Sequence, residues 1–217
     1  MADDPRPPDD RLLLALTTEH FTLQTARSAT ISESNGRVMI FLSTLSSCVV
    51  ALAFVGQSTS FGTTFYVFVF TLFPAVLIVG FATFMRALQV SVEDAYFAIA
   101  INRIRQHYVE LHPDAAELFV LPTTAGITAI RPEALNKKPS RIQALFTAAG
   151  MVACVESIVA GVFAALIVDR VVEHGTAAVV TGVVVTLGGI VGTLIYIRTQ
   201  FFRALAVLGV VKESRKS

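Results

Sequence analysis

Four apolar runs, at 38–56, 65–85, 144–168 and 177–197, divide the chain, and none of them alternates polar with apolar residues. Each is long enough to cross a bilayer core of about 30 Å at about 1.5 Å per residue. Backbone groups in hydrocarbon must be satisfied internally, so the runs predict helices. Strands of a membrane barrel would instead show as alternating segments of about ten residues. The links "QSTSFGTT" and "DRVVEHGT" are short enough for hairpins, whereas the stretch between the second and third runs is much longer. The predicted fold class is all-α: an integral membrane four-helix protein with helical extensions.

The extensions follow from the segments flanking the runs. "LLLALTTEHFTLQTARSATISES" is weakly amphipathic, with Leu12, Leu16 and Leu23 on an approximate face. Asp9 or Asp10 is placed to cap a helix starting near Arg11. Ser34–Gly36 is the natural break before the first span. "RALQVSVEDAYFAIAINRIRQHYVELHP" holds no Gly or Pro before Pro113, so the second helix is expected to run on past the membrane. Val92, Tyr96, Ile99 and Arg103 share one face of it. A short helical turn led by Pro113 is expected next. A loop-like stretch, "TTAGITAIRPEALNKKPSR", precedes the third span. Residues 1–10, rich in proline and aspartate, read as disordered. In the tail, Phe201, Leu205 and Leu208 recur at helical spacing.

Charge orients this layout. The chain has 17 Lys and Arg residues, and only Arg170 falls on the side of the two hairpin links. That asymmetry is a strong positive-inside signal, which predicts both termini and the long middle segment inside the cell. The expected organisation is a cytoplasmic segment 1–37, a first transmembrane hairpin 38–85, a cytoplasmic extension and loop 86–143, a second hairpin 144–197 and a cytoplasmic tail 198–217. Arg37, Arg86, Arg141 and Arg198 each mark the inner end of one span. They read as side chains snorkelling to anionic headgroups, or as a basic ring at a pore mouth. The opening "MADDPRPPDD" is not the basic and then apolar start of a secretory signal, so the first span is expected to direct insertion itself. A bacterial-type plasma membrane is the expected location.

The residues that usually carry chemistry are sparse. There is no Walker loop, dinucleotide fingerprint, HExxH, CxxC or GxSxG pattern, so neither catalytic residues nor a cofactor are expected. His107, Glu110 and His112 are closest to a metal cluster, but a spacing of five does not align two ligands on a helix, and no metal site is expected. Cys48 and Cys154 fall at membrane depth and read as small packing residues rather than a disulfide framework. A net charge of +1 and no basic–aromatic pattern argue against nucleic acid as a partner.

What remains lies inside the membrane. Glu156 is the central residue of the third run as drawn. A charged group there costs roughly 2.5–3.5 kcal/mol on insertion scales, so this carboxyl is either protonated or held by a partner. Around it Ala149, Ala153, Ser157, Gly161 and Ala165 repeat at intervals of four, a small-residue seam that lets another helix approach closely. The fourth run offers Gly182, Gly188, Gly189 and Gly192, including the GxxxG pair Gly188 and Gly192, as the matching surface. Ser43 and Ser47, one turn apart at about the same depth in the first run, are candidate hydrogen-bond partners of Glu156, the Phe70 carbonyl being the alternative. Pro74 is expected to kink the second span and free the Phe70 carbonyl.

Two functions fit. One is an oligomeric ion channel or small transporter in which Glu156 and the Ser43/Ser47 face line the path. The bundle packs too closely for an internal lumen, so a channel requires a homo-oligomer with its pore on the symmetry axis. The other is a non-catalytic accessory subunit or scaffold whose cytoplasmic helices bind a partner protein, with Glu156 structural. The lipid bilayer is a partner in both, and an enzyme is expected in neither.

Overall fold

The computed structural model describes residues 8–119, 143–172 and 174–207. Of residues 1–10, expected to be disordered, 8–10 are helical and 1–7 lie outside the described residues, as do the loop containing Arg131, Lys137, Lys138, Pro139 and Arg141 and the end of the tail. The described residues form four long helices: α1 (Pro8–Ser58), α2 (Thr63–Leu111), α3 (Ala148–Val172) and α4 (Gly175–Val207). All four are long and apolar enough to cross a membrane. α1 has 51 residues and α2 has 49, so each is about 75 Å long, more than twice a bilayer core.

α1 departs from expectation at its start and its middle. It is already helical at Pro8, the first described residue, so Asp9 and Asp10 lie within the helix rather than before it. It also runs unbroken through Ser34–Gly36. One glycine costs about 1 kcal/mol against alanine, too little to interrupt a helix propagating cooperatively on both sides. Glu33 bridges the spot, accepting a 3.0 Å hydrogen bond from Arg37 Nε one turn on. Ser34 is buried.

The chain divides into two units. The first takes its described residues from 8–32, 91–119 and 203–207. Here Ala95, Ala98, Ile99, Ile101, Asn102 and Ile104 of α2 are buried. Of the four residues the sequence places on one face, Ile99 is buried, Val92 is half-buried, and Tyr96 and Arg103 are exposed. Arg27 donates from Nε and Nη2 to the two carboxylate oxygens of Asp94, at 2.5 and 3.1 Å. Thr17 and Tyr108 hydroxyls lie 3.1 Å apart. A 3-10 turn, Pro113–Leu118, follows α2 with proline at its start, as the sequence indicates.

The second unit takes its described residues from 33–90, 143–172 and 174–202 and holds the four spans. α1 and α2 join through a tight turn in which Phe61 N–H donates to the Gly56 carbonyl (3.0 Å) and Gly62 N–H to that of Thr59 (2.9 Å). Ser60 and Phe61 adopt φ of 49° and 56°. The Phe61 ring folds back over Gly56, where a β-carbon would lie 2.7 Å from the ring. α2 continues as helix across Pro74. α3 starts at Ala148 rather than 144, because Thr147 caps it: its hydroxyl accepts from Gly150 N–H at 3.0 Å. α3 then continues past 168 to Val172, and α4 past 197 to Val207.

α2 and α3 pack antiparallel in one register. Tyr66 donates to Asp169 at 3.2 Å, with the Arg170 guanidinium 5.3 Å over its ring. Phe73 stacks on Phe163 at 5.3 Å. Further along, Phe84 and Val152 enter the core with Phe41, Val76, Ala87, Leu88, Ala149, Ala153 and Val159. Phe84 also meets Tyr196 of α4, ring centroids 6.3 Å apart.

Candidate functional site: a carboxyl enclosed by three spans

Glu156 sits on α3 one helical turn from the core residues Val152 and Val159. With α3 starting at Ala148, the helix midpoint moves to Ala160, so Glu156 lies about 6 Å from it, toward the end where α3 begins. Its Oε2 is buried and has no hydrogen-bond partner. The space it fills is left by Gly80 of α2. A β-carbon there would overlap Oε2 and stand 2.5 Å from the Glu156 carboxyl carbon and 2.8 Å from a ring carbon of Phe41. Phe41 is itself 1% exposed. Three helices therefore supply the site: an aromatic ring from α1, bare backbone from α2 and the acid from α3.

Ser43 and Ser47 are not at this site. Both are exposed on α1, and the Ser47 hydroxyl donates to the Ser43 carbonyl at 2.9 Å. Ser46 likewise donates to Leu42 at 2.8 Å. Hydroxyls in a membrane helix satisfy themselves on the preceding turn, so a serine at the right depth need not face an acid. Phe41 was the residue to find, and nothing in an all-round apolar span distinguishes it from its lipid-facing neighbours. Gly80 carried a weak signal, as a lone glycine amid bulky residues.

The small-residue seam on α3 forms largely as its spacing implies. Ala149, Ala153, Ser157 and Gly161 are buried, and Ala165 is half-buried. Of the four α4 glycines expected opposite it, Gly182 and Gly189 face the seam and the GxxxG pair does not. A β-carbon on Gly189 would lie 2.8 Å from Ser157 Oγ, and one on Gly182 would lie 3.0 Å from Ala165 Cβ. A β-carbon on Gly161 would meet the Gly182 carbonyl oxygen at 2.6 Å and overlap the Thr186 hydroxyl. Gly182, Thr186 and Gly189 thus form the matching face. Gly188 and Gly192 point into open space and are exposed.

Between α1, α2 and α3 lies an apolar cavity of about 260 Å³ that Glu156 does not line. Its lining includes Leu45, Cys48 and Val49 of α1, Phe73 and Val76 of α2, and Val159 of α3. Cys48 and Cys154 are both free and half-buried. Among the described residues, no three His, Cys, Asp or Glu side chains group as metal ligands.

Two charged clusters stand outside the spans. In the second unit Glu33 accepts from Arg37 and, at 3.1 Å, from Arg86 Nη2. The Arg86 and Arg37 hydrogen bonds hold its carboxyl below the usual range. Of the four basic residues expected at span ends, Arg37 and Arg86 therefore converge on one acid, Arg198 is exposed, and Arg141 lies outside the described residues. In the first unit, burial and then the charge of Arg105 push His20 below the usual imidazole range. Arg105 is lowered by burial and by Arg27.

Four long apolar helices packed antiparallel fit a multi-pass helical membrane protein. Beyond that class, no protein family, curated protein or solved structure matches the chain.

Proposed function

We propose that this chain is a small membrane transporter or channel subunit, acting as a homo-oligomer in a bacterial-type plasma membrane with both termini inside, and that Glu156 is its working group. The observation that carries this reading is the buried Oε2 without a partner. A carboxyl that only locked helices together would be expected to hydrogen-bond across them, and such bonds are the stabilising term available to polar groups in a membrane bundle. Glu156 instead bears the cost of burial with no compensating bond, in a notch that Gly80 keeps open. Intramembrane acids held in this way mark ion and proton paths. The chain works without catalytic chemistry of its own. Flux of protons and of monovalent ions into liposomes, compared for wild type and Glu156→Gln, tests the reading. Loss of flux in the variant supports it, and flux at the wild-type level in the variant ends it.

A second reading, an accessory subunit or scaffold, draws on Gly188 and Gly192. Their exposed face on α4 offers a neighbouring membrane helix the close approach that small residues permit. Co-purification with a larger complex, lost in Gly188→Leu and kept in Glu156→Gln, favours it over transport.

A further inference from the structure

In the first unit α1 presents a narrow stripe to α2. Half-burial falls on Leu13, Leu16, His20, Leu23, Arg27 and Thr30, at alternating intervals of three and four, and every residue off that stripe from 14 to 25 is exposed. Such spacing is the seam of two helices wound on each other. α2 supplies the other side and runs antiparallel: Tyr108 meets Thr17, and Asp94 meets Arg27. His20 lies between Thr17 and Arg27 on α1, and Arg105 lies between Asp94 and Tyr108 on α2. A histidine therefore stands at a seam position flanked on its own helix by Leu16 and Leu23.

The surroundings of that imidazole suit its neutral form. Gln24 Nε2 lies 2.8 Å from His20 Nε2, and an amide nitrogen only donates, so the ring accepts there and carries its hydrogen on Nδ1. Nδ1 is buried with no hydrogen-bond partner. A second proton on the ring displaces the Gln24 donor. Across the seam, Arg105 is the charged group whose field reaches His20, and its Nη1 donates to the neutral Asn102 amide at 3.1 Å. Other charges of the unit are engaged or turned outward. Asp94 holds Arg27, and Glu110 lies 3.9 Å from His107 Nδ1. Glu19, next to His20 in sequence, and Arg203, which α4 brings to this unit, are exposed. We propose that His20 is a proton sensor: in acid it becomes a cation in the seam, and the α1–α2 hairpin of this unit opens locally while the spans stay folded. Burial and then Arg105 hold His20 below the usual imidazole range in the closed hairpin, so the open form takes up the proton first. Opening rises as pH falls below about 6.5 and levels off below the lower value of the closed hairpin.

Amide hydrogen exchange of the full chain in lipid nanodiscs tests this, because protection reads local opening even when the open form is rare. Protection factors, corrected for the intrinsic exchange rate at each pH, are compared at about pH 7.5 and about pH 5.5, on either side of the imidazole range. Peptides covering 13–30 and 94–108 should lose protection severalfold in acid, and peptides from α3 should not. His20→Phe, which keeps an apolar ring in the seam, should show the same protection at both pH values. Arg105→Gln should shrink the acid loss without abolishing it, since burial acts first, and it keeps the proposal falsifiable if the His20 variant folds poorly. His107→Gln should leave the loss at its wild-type size. Equal wild-type protection at the two pH values overturns the proposal. So does a loss that survives in His20→Phe, is unchanged in Arg105→Gln, disappears in His107→Gln or is shared equally by α3. None of these readings depends on Glu156.

Discussion

Gly80 and Glu156 share one volume. The carboxyl reaches into space on α2 that any side chain at position 80 would fill, with overlap at Oε2 and a 2.5 Å approach to the carboxyl carbon. The notch and the acid are therefore a single feature, built from two helices that pack in a fixed register.

Gly80→Ala should thus destabilise the protein by about 1–3 kcal/mol, the usual cost of overpacking. Part of that should be recovered in Gly80→Ala/Glu156→Ala, because the second change removes the atoms that clash. Apparent unfolding in mixed micelles, run as a double-mutant cycle, gives the coupling. Additive effects of the two changes would show that the pair does not share space.

The α3–α4 seam makes a contrast within one helix. Gly161→Ala and Gly182→Ala each place a methyl against backbone of the other helix, at 2.6 and 3.1 Å from a carbonyl oxygen, and should cost about 1–3 kcal/mol. Gly188→Ala and Gly192→Ala meet nothing within 4 Å and should be neutral, or stabilising by up to about 1 kcal/mol through helix propensity. Thermal midpoints of the four variants check this. Equal losses at 182 and 188 would mean that α4 is turned differently on α3.

That contrast shows what the sequence could disclose. The four spans were legible because a run of about twenty apolar residues has few other uses. The seam on α3 was legible because five small residues at one interval are hard to explain otherwise. Rotation was not legible. Lipid-facing and core-facing positions are both apolar, so hydropathy gives the depth of Ser43, Phe41 and Gly188 but not the direction each faces. The unbroken α1 was hidden for a different reason. Gly36 is a local break signal, and what overrides it is propagation of the helix together with the Glu33–Arg37 pair and the Glu33–Arg86 contact to α2, the last of which is tertiary.

Two groups set an acid limb of stability. His20 lies below its usual 6.5 in the folded chain. The unfolded chain therefore takes up the proton first, and stability is full above about pH 6.5 and lost as pH falls through the lower folded value. Glu33, lowered from 4.5 by its arginines, acts in the same sense in a more acid window, below about pH 4.5. His20→Gln should flatten the upper part of the limb and Glu33→Gln the lower part, read as apparent unfolding temperature against pH. A His20→Gln profile parallel to wild type from pH 7 to about pH 5 would remove His20 from this role.

The Arg27–Asp94 pair tests how much a fork geometry adds at a half-exposed site. Its side chains are 40% and 33% accessible, so solvent screening keeps the coupling near the upper end of the range for exposed pairs, about 1 kcal/mol. Two parallel N–H···O bonds from one planar guanidinium should keep it from vanishing. A double-mutant cycle of Arg27→Ala and Asp94→Ala should give that coupling at low salt and a smaller value in about 1 M salt, where the screening length falls to about 3 Å. Arg27→Lys should recover less than half of it, because an ammonium cannot engage both carboxylate oxygens in the same plane. Full recovery by lysine would mean that charge alone, without the fork, accounts for the pair.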